Sequence, residues 1–357
     1  MPARTEVVDA AVHPLVRQPD ELREYMAEPW RSLPFPGPHR YLFPTPTGVA
    51  PYGEYRQDAR PEKGLPGSDP ALMARHLDEL GVGTAVLLPL CRGLLPNVDL
   101  GSAVCAATND WLKATWLGPA NSEGRYRGTI RVNPEDPAAA AREIERWAGD
   151  PAFVQVGVPL EAHRPYGQRN YTPIWEAAAR HGLPVAVHSE PGAGTDFFST
   201  PNGYHRHHIE YHSLFPANFI YHLSSLIAEG VLERLPELRF VFADGGFDVL
   251  MPLMWRMDLD WPISRIEVPW VSRRPSDYLR DHFRFCTAKL EGAPPEIRGD
   301  WFEMAGGADL LMYASNYPHW STMAAGEFFP QLPEDVRARV LGGNARALYR
   351  LPEPTPA

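Results

Sequence analysis

Eight short apolar runs, each followed by a stretch of helical periodicity, organise this chain from end to end. The runs are "EVVDAAVH" (6–13), "TAVLLPL" (84–90), "YRGTIRV" (126–132), "FVQVGVPL" (153–160), "PVAVHSE" (184–190), "RFVFADGG" (239–246), "FRFCTA" (283–288) and "LLMYASN" (310–316). Short runs rich in Val, Ile, Leu and Phe, without strict polar alternation, are what strands buried on both faces look like. Several segments between them open with Asp or Thr before Pro and close in Gly. Such segments supply an N-cap, a preset first turn and a left-handed C-cap. Eight strand–helix units predict a (β/α)8 TIM barrel, and 357 residues suit a single domain spanning 1–357.

One stretch breaks the alternation. Residues 28–70 hold ten prolines and no sustained period, which excludes regular helix or central strand. The aromatics Trp30, Phe35, Tyr41, Phe43, Tyr52 and Tyr55 argue against plain disorder, so the segment is expected to pack as a cap after the first strand.

Charge narrows the function classes. The formal net charge is −10 with no basic cluster longer than Arg273–Arg274, so the electrostatic footprint of a nucleic-acid binder is missing. The amino terminus lacks an apolar signal core and no run approaches the length of a membrane helix, which predicts an unexported, cytoplasmic chain. Cys91, Cys105 and Cys286 are odd in number and set in apolar surroundings, and they read as buried reduced thiols rather than a disulfide or metal framework. A small-molecule partner is the expectation that remains.

In a barrel of this kind reactive groups sit at the carboxyl ends of the strands. The polar residues there are His13, His188 with Glu190, Asp244 and Asn316. Each alone is more often a satisfied rim group than a catalyst, but several converging tips favour a site. The candidate catalytic set is therefore His13, His188, Asp244 and Asn316.

The motifs "VVDAAVHP", "YGQRNYTPIWEAAARHGLPVAVHSEPG", "IEYH", "SSLIAEGVLERLPELRFVFADGGFDVLMPLMWRMD", "YASNYPHW" and "LGGNARALYRL" together resemble the amidohydrolase superfamily. The branch in question includes aminocarboxymuconate semialdehyde decarboxylase and related aromatic-acid decarboxylases and hydrolases. The resemblance implies a divalent ion, zinc or manganese, held by a first-strand His-X-His or Asp-X-His pair, a fifth-strand His and an eighth-strand Asp. Those positions are here Ala11 and His13, His188, and Asn316. Ala11 has no donor atom, and a neutral amide is a poor zinc ligand and no base. What remains is a reduced set of His13, His188 and Asp244, holding one weakly bound ion or none.

Further candidates lie in loops. His208 and His212, four apart with Glu210 between them, can share a helix face; with His205 and His207 they are candidates for anion binding, a subunit contact or replacement metal ligation. His222 lies in an apolar helical stretch and His319 follows the eighth strand; each suits a structural hydrogen bond or a pocket contact. Arg92, Arg164 and Tyr166 are candidate anchors for a substrate carboxylate, since arginine offers a bidentate fork.

The leading expectation is an amidohydrolase-type enzyme acting by hydrolysis on a small cyclic or aromatic acid, lactone or amide. The alternatives are a metal-dependent non-oxidative decarboxylase, a metal-free biosynthetic lyase, isomerase or cyclase, and a barrel retained only for binding. The apolar helix "GFDVLMPLMWRMDLDWP" exceeds what a barrel exterior needs, and with the resemblance it implies a homodimer.

Overall fold

The structure is a computed structural model that describes residues 7–18, 20–33, 55–91, 94–190, 207, 209–210, 213, 216–288, 290, 294 and 296–352. Eight strands form one parallel sheet in sequential order: β1 (Val7–Val12), β2 (Val82–Leu87), β3 (Tyr126–Arg131), β4 (Phe153–Pro159), β5 (Val185–His188), β6 (Phe240–Phe242), β7 (Phe283–Cys286) and β8 (Leu311–Met312). Helices alternate with them, so the fold is the (β/α)8 barrel that the pattern implies. The strands end earlier than the apolar runs, because the last residues of each run have already left the ladder to form the rim.

The seam between β8 and β1 is closed by hydrogen bonds outside the regular ladder. The Ala10 N–H donates to the Tyr313 carbonyl at 2.8 Å and the His13 N–H to the Tyr317 carbonyl at 2.8 Å. Between them lies an irregularity in β1 from Asp9 to Val12, and the Asp9 carboxylate takes up the slack. Its Oδ1 accepts from Ala11 N at 3.2 Å and Ser315 N at 3.1 Å.

Side-chain alternation along each strand sorts residues into two cores. Val8, Ala10, Val86, Ala186, Val241, Cys286 and Met312 belong to an inner cluster, while Leu87, Ile130, Val156, Val187, Phe240, Phe242 and Phe285 belong to the layer shared with the helices. Near the amino-terminal end of the barrel, the Tyr349 hydroxyl donates to Gln155 Oε1 at 2.9 Å. The helices Pro70–Glu79 and Pro137–Trp147 begin as Asp-Pro predicts: Asp69 accepts from Leu72 N at 2.8 Å and Asp136 from Ala139 N at 3.0 Å. Such a cap is worth about 1 kcal/mol.

The described part of the proline-rich segment sits on the site end of the barrel. Tyr55 bridges antiparallel to His319, and the Arg56 N–H donates to the Pro318 carbonyl at 2.9 Å. Gly67, at φ +72°, lies so close to Pro318 that a Cβ would come within 2.7 Å of its ring, and its carbonyl accepts from Leu15 N at 3.2 Å. This segment thus ties together the tips of β1 and β8. Residues 34–54 of the expected cap lie outside the described residues.

Candidate active site

His13 leaves the end of β1 buried, with both ring nitrogens engaged. Nδ1 donates to the Leu88 carbonyl at 2.9 Å, and Nε2 meets Asn316 Oδ1 at 3.0 Å. Asn316, just beyond β8, adopts φ +61°. Asn tolerates the left-handed region better than most residues because its short polar side chain can bond locally. That conformation turns its side chain back toward β1 across the seam. Among the described residues, the buried amide nitrogen Nδ2 has no hydrogen-bond partner.

The His188 ring, at the end of β5, lies 4.6 Å from the His13 ring, centroid to centroid. Its Nε2 is 4.0 Å from Oδ2 of Asp244, which follows β6 and accepts a hydrogen bond from the Ser189 hydroxyl. Four strand tips named from sequence, those of β1, β5, β6 and β8, are therefore brought to one place. All four side chains are buried, so charges here are screened little by water.

Asp9, beneath His13, is held by the seam rather than aimed at the mouth. Burial pushes its carboxyl up from the ordinary range to about 7, and the hydrogen bonds from Ser315 and Ala11 offset only part of that cost. Ala11 is wholly buried in the inner cluster.

The donor set can be weighed against the divalent ion that the resemblance implies. Two imidazoles, one carboxylate and one amide oxygen remain, and Ala11 contributes nothing. Among the described residues no three His, Cys, Asp or Glu side chains are grouped so as to hold a metal ion. By donor type alone, imidazole, carboxylate and carbonyl oxygen are what a hard ion such as manganese accepts, rather than the closed tetrahedron of a structural zinc.

Other expected residues are placed elsewhere. His222 donates from Nε2 to the Leu160 carbonyl at 2.7 Å, accepts from the Tyr166 N–H at 3.1 Å, and stacks on the Tyr166 ring at 4.2 Å. Burial pushes its pKa down to about 4, so this imidazole is a neutral brace behind β4. The Tyr166 hydroxyl is spent on the Pro159 carbonyl. Arg164 is exposed on the loop after β4. His319 bonds Ser321 through Nδ1 at 2.6 Å and sits under the Tyr55 bridge. Arg92, His205, His208 and His212 lie outside the described residues.

The sequence reading placed Glu190 at the fifth-strand tip but overlooked the second polar cluster it joins at the same end of the barrel. Arg131, at the end of β3, pairs with Glu190, and both are buried. Glu190 Oε2 also accepts from Cys91 N at 3.0 Å, and the Glu190 N–H donates to Glu161 Oε2 at 2.9 Å. Gly157 of β4 makes the space: a Cβ there would lie 2.7 Å from the Arg131 guanidinium. The available signal was an arginine inside the apolar run "YRGTIRV".

The sequence profile of the amidohydrolase family matches residues 8–351. The chain belongs to that family. This amidohydrolase-family chain is an enzyme, and its curated relatives include the gamma-resorcylate decarboxylase of Polaromonas sp. (strain JS666), 25% identical over 301 residues that cover 78% of this chain and 86% of the relative. Solved structures with the same fold include a dihydroxybenzoic acid decarboxylase from that strain with bound manganese and the inhibitor 2-nitroresorcinol. It has a TM-score of 0.66, 19% identity and 97% coverage of each chain. Another is an aspartate-to-asparagine mutant of the 5-carboxyvanillate decarboxylase from Novosphingobium aromaticivorans, also with manganese, with a TM-score of 0.66, 17% identity and 97% coverage of each chain. Among the described residues no helix is long and apolar enough to cross a membrane.

Proposed function

We propose that this amidohydrolase-family enzyme is a non-oxidative carboxy-lyase, which removes carbon dioxide from a small hydroxylated aromatic acid. The observation that carries the reading is the buried His188–Asp244 pair beside the His13–Asn316 pair at the carboxyl end of the barrel, in a chain whose relatives named above are decarboxylases. Hydrolysis, the leading expectation from sequence, has no counterpart among those relatives and gives way to its alternative.

The overall change is an aryl carboxylate plus a proton giving an arene and carbon dioxide. A proton must reach the ring carbon that bears the carboxylate; the C–C bond then breaks and its electron pair returns to the ring. His188 is the group suited to deliver that proton, and the Asp244 carboxylate beside it stabilises its charged form. His13, fixed between the Leu88 carbonyl and Asn316, lies on the side where the substrate carboxylate would sit. The Asn316 Nδ2–H is a spare donor for a ring oxygen that gains charge as the ring is protonated. Burial of all four side chains excludes water and strengthens each of these interactions.

His13, His188, Asp244 and the Asn316 amide oxygen would hold a divalent ion of the manganese type loosely. When bound, it supplies a Lewis acid for the substrate's oxygens. The aspartate-to-asparagine mutant solved with manganese shows that in that protein the exchange of one carboxylate for an amide leaves room for the ion.

The test is a panel of 2-hydroxybenzoates, dihydroxybenzoates and carboxyvanillates, with and without added manganese, read by carbon dioxide release and chromatography. Decarboxylation of at least one ortho-hydroxylated acid supports the reading. Turnover confined to lactones or amides restores hydrolysis and overturns it. The same proposal extends to a single cytoplasmic domain that pairs as a homodimer, on account of Trp255, Leu259 and Ile263, apolar side chains exposed on the helix Leu250–Ser264; light scattering checks the dimer.

A further inference from the structure

Three cysteines are buried, yet two of them are not alike in setting to the third. The Sγ atoms of Cys91 and Cys105 lie 3.7 Å apart, within sulfur hydrogen-bond range, and the Thr108 hydroxyl is 3.4 Å from Cys91 Sγ. Cys91 follows β2, and Cys105 lies on the helix Val98–Thr115, so the pair joins a strand tip to the helix that packs behind it. The backbone N–H of Cys91 is tied to Glu190, which in turn holds Arg131. Cys286, by contrast, is an inner-barrel residue packed among Ala, Val and Met.

We infer that Cys91 and Cys105 form a reversible oxidative modification site, a dithiol poised to close into a disulfide when met by a peroxide. The geometry carries the idea: the two sulfurs, 3.7 Å apart, have only about 1.7 Å to close before they reach bonding distance, whereas among the described residues no second thiol is hydrogen-bonded to Cys286. Chemistry supports it. Hydrogen bonding from Cys105 lowers the Cys91 pKa to about 7 against the opposing cost of burial, with the Arg131 charge adding to the effect, so a usable fraction is thiolate near neutrality. Burial raises the Cys286 pKa in the opposite sense, and the carboxylates of Asp9 on β1 and Asp244 after β6 add to it.

The steps balance with hydrogen peroxide as the oxidant. The Cys91 thiolate attacks one peroxide oxygen, the O–O bond breaks, and hydroxide leaves and takes up a proton as water, which gives a sulfenic acid. The Cys105 sulfur then attacks that sulfenic sulfur, the S–O bond breaks, and the oxygen departs as a second water. Two thiols have lost two electrons and two protons, and the peroxide has been reduced to two waters. A peroxide small enough to follow water is the oxidant class that suits sulfurs this deeply placed. Closure would tie the loop at Cys91 to the helix through 14 residues of chain, next to the Glu190–Arg131 pair.

The experiment uses the whole chain and no substrate, so it stands apart from the assignment of the reaction. Trypsin separates residues 76–92, with Cys91, from 93–113, with Cys105, and releases Cys286 in 285–289. After treatment with hydrogen peroxide and alkylation of remaining thiols, the expected result is a cross-linked species of the first two peptides, two hydrogens lighter than their sum. It should disappear on dithiothreitol, with 285–289 still fully alkylated. Cys105→Ser should instead leave a sulfenic acid on Cys91 that dimedone traps. The inference is overturned if wild-type protein gives only sulfinic or sulfonic acid at Cys91 without the cross-link, or if Cys286 is oxidised to the same extent as Cys91. The wild-type arm needs no variant to fold.

Discussion

Two polar clusters share the carboxyl end of this barrel, and they are built on opposite principles. One, formed by β1, β5, β6 and β8, contains two imidazoles, a carboxylate and an amide that keeps a buried donor without a partner among the described residues. The other, formed by β2, β3 and β5, is a closed ion pair whose carboxylate is further bound by a backbone N–H. The first has imidazoles and a carboxylate in contact, and a donor to offer. The second has one arrangement and strong charges to hold it. On the proposed function the chemistry falls to the first, and the second serves the shape of the rim.

Removing a proton-transfer group from the first cluster should give the largest effect. His188→Gln is expected to lower kcat for decarboxylation by about 10²–10⁴-fold, the usual range for a positioned acid or base, with the melting temperature little changed. Asp244→Asn should fall in the same range. If both variants retain near-wild-type turnover, the acid lies elsewhere and the distinction between the clusters fails.

The second cluster should answer in stability instead. Glu190→Gln strands a buried guanidinium, and breaking one side of a buried pair costs about 3–5 kcal/mol. Urea unfolding measures it. The double variant Arg131→Met, Glu190→Leu should recover most of the loss, since apolar side chains of similar size replace buried pairs at little cost. A double variant no more stable than the single one would show that the pair does something beyond packing.

The two clusters also differed in how far the sequence disclosed them. His13, His188, Asp244 and Asn316 each lie at or near the end of an apolar run, where a polar residue stands out against its neighbours, and the barrel rule assigns such positions to the mouth. Arg131 stands inside its run, Glu190 has its partner two strands away, and only the space over Gly157 accommodates the arginine. Pairing across strands is a property of register, which no single run contains. His222 and Tyr166 misled for a related reason: both sit near the rim in sequence, but their polar atoms are used up by Leu160, Pro159 and each other. The eight strands themselves were legible because burial on both faces leaves a continuous apolar run, while the bulge at Asp9 left no mark in "VVDAAVHP" beyond a single acid.

That acid allows a third test, on the seam beneath the first cluster. A folded-state pKa of about 7 against the ordinary 3.8 of an exposed Asp means that folded Asp9 keeps a proton the unfolded chain releases. Stability is then fullest below about pH 4 and falls as pH rises toward 7, by up to about 4 kcal/mol at roughly 1.4 kcal/mol per unit. Asp9→Asn keeps the Oδ1 acceptor for Ala11 and Ser315 and removes the charge, so it should flatten that slope and be the more stable protein at pH 8. Melting curves from pH 5 to 8 decide it; parallel slopes for wild type and variant would show that Asp9 stays ionised when folded.

The smallest expected effect returns to Asn316, where the first cluster gains or loses an anion. Asn316→Asp places a carboxylate 3.0 Å from His13 Nε2, in reach of the same donor set. Ion affinity rises with the number of charged ligands, so Mn²⁺ binding to the gel-filtered protein should tighten by about tenfold, or about 1.4 kcal/mol. Titration followed by electron paramagnetic resonance reads this without any substrate. An unchanged affinity would mean that the amide oxygen already serves as well as a carboxylate, and that the absent donor at Ala11 limits the site. In that case Ala11→His, which restores the fourth position, is the variant that should tighten binding, and the first cluster would owe its low charge to β1 rather than to β8.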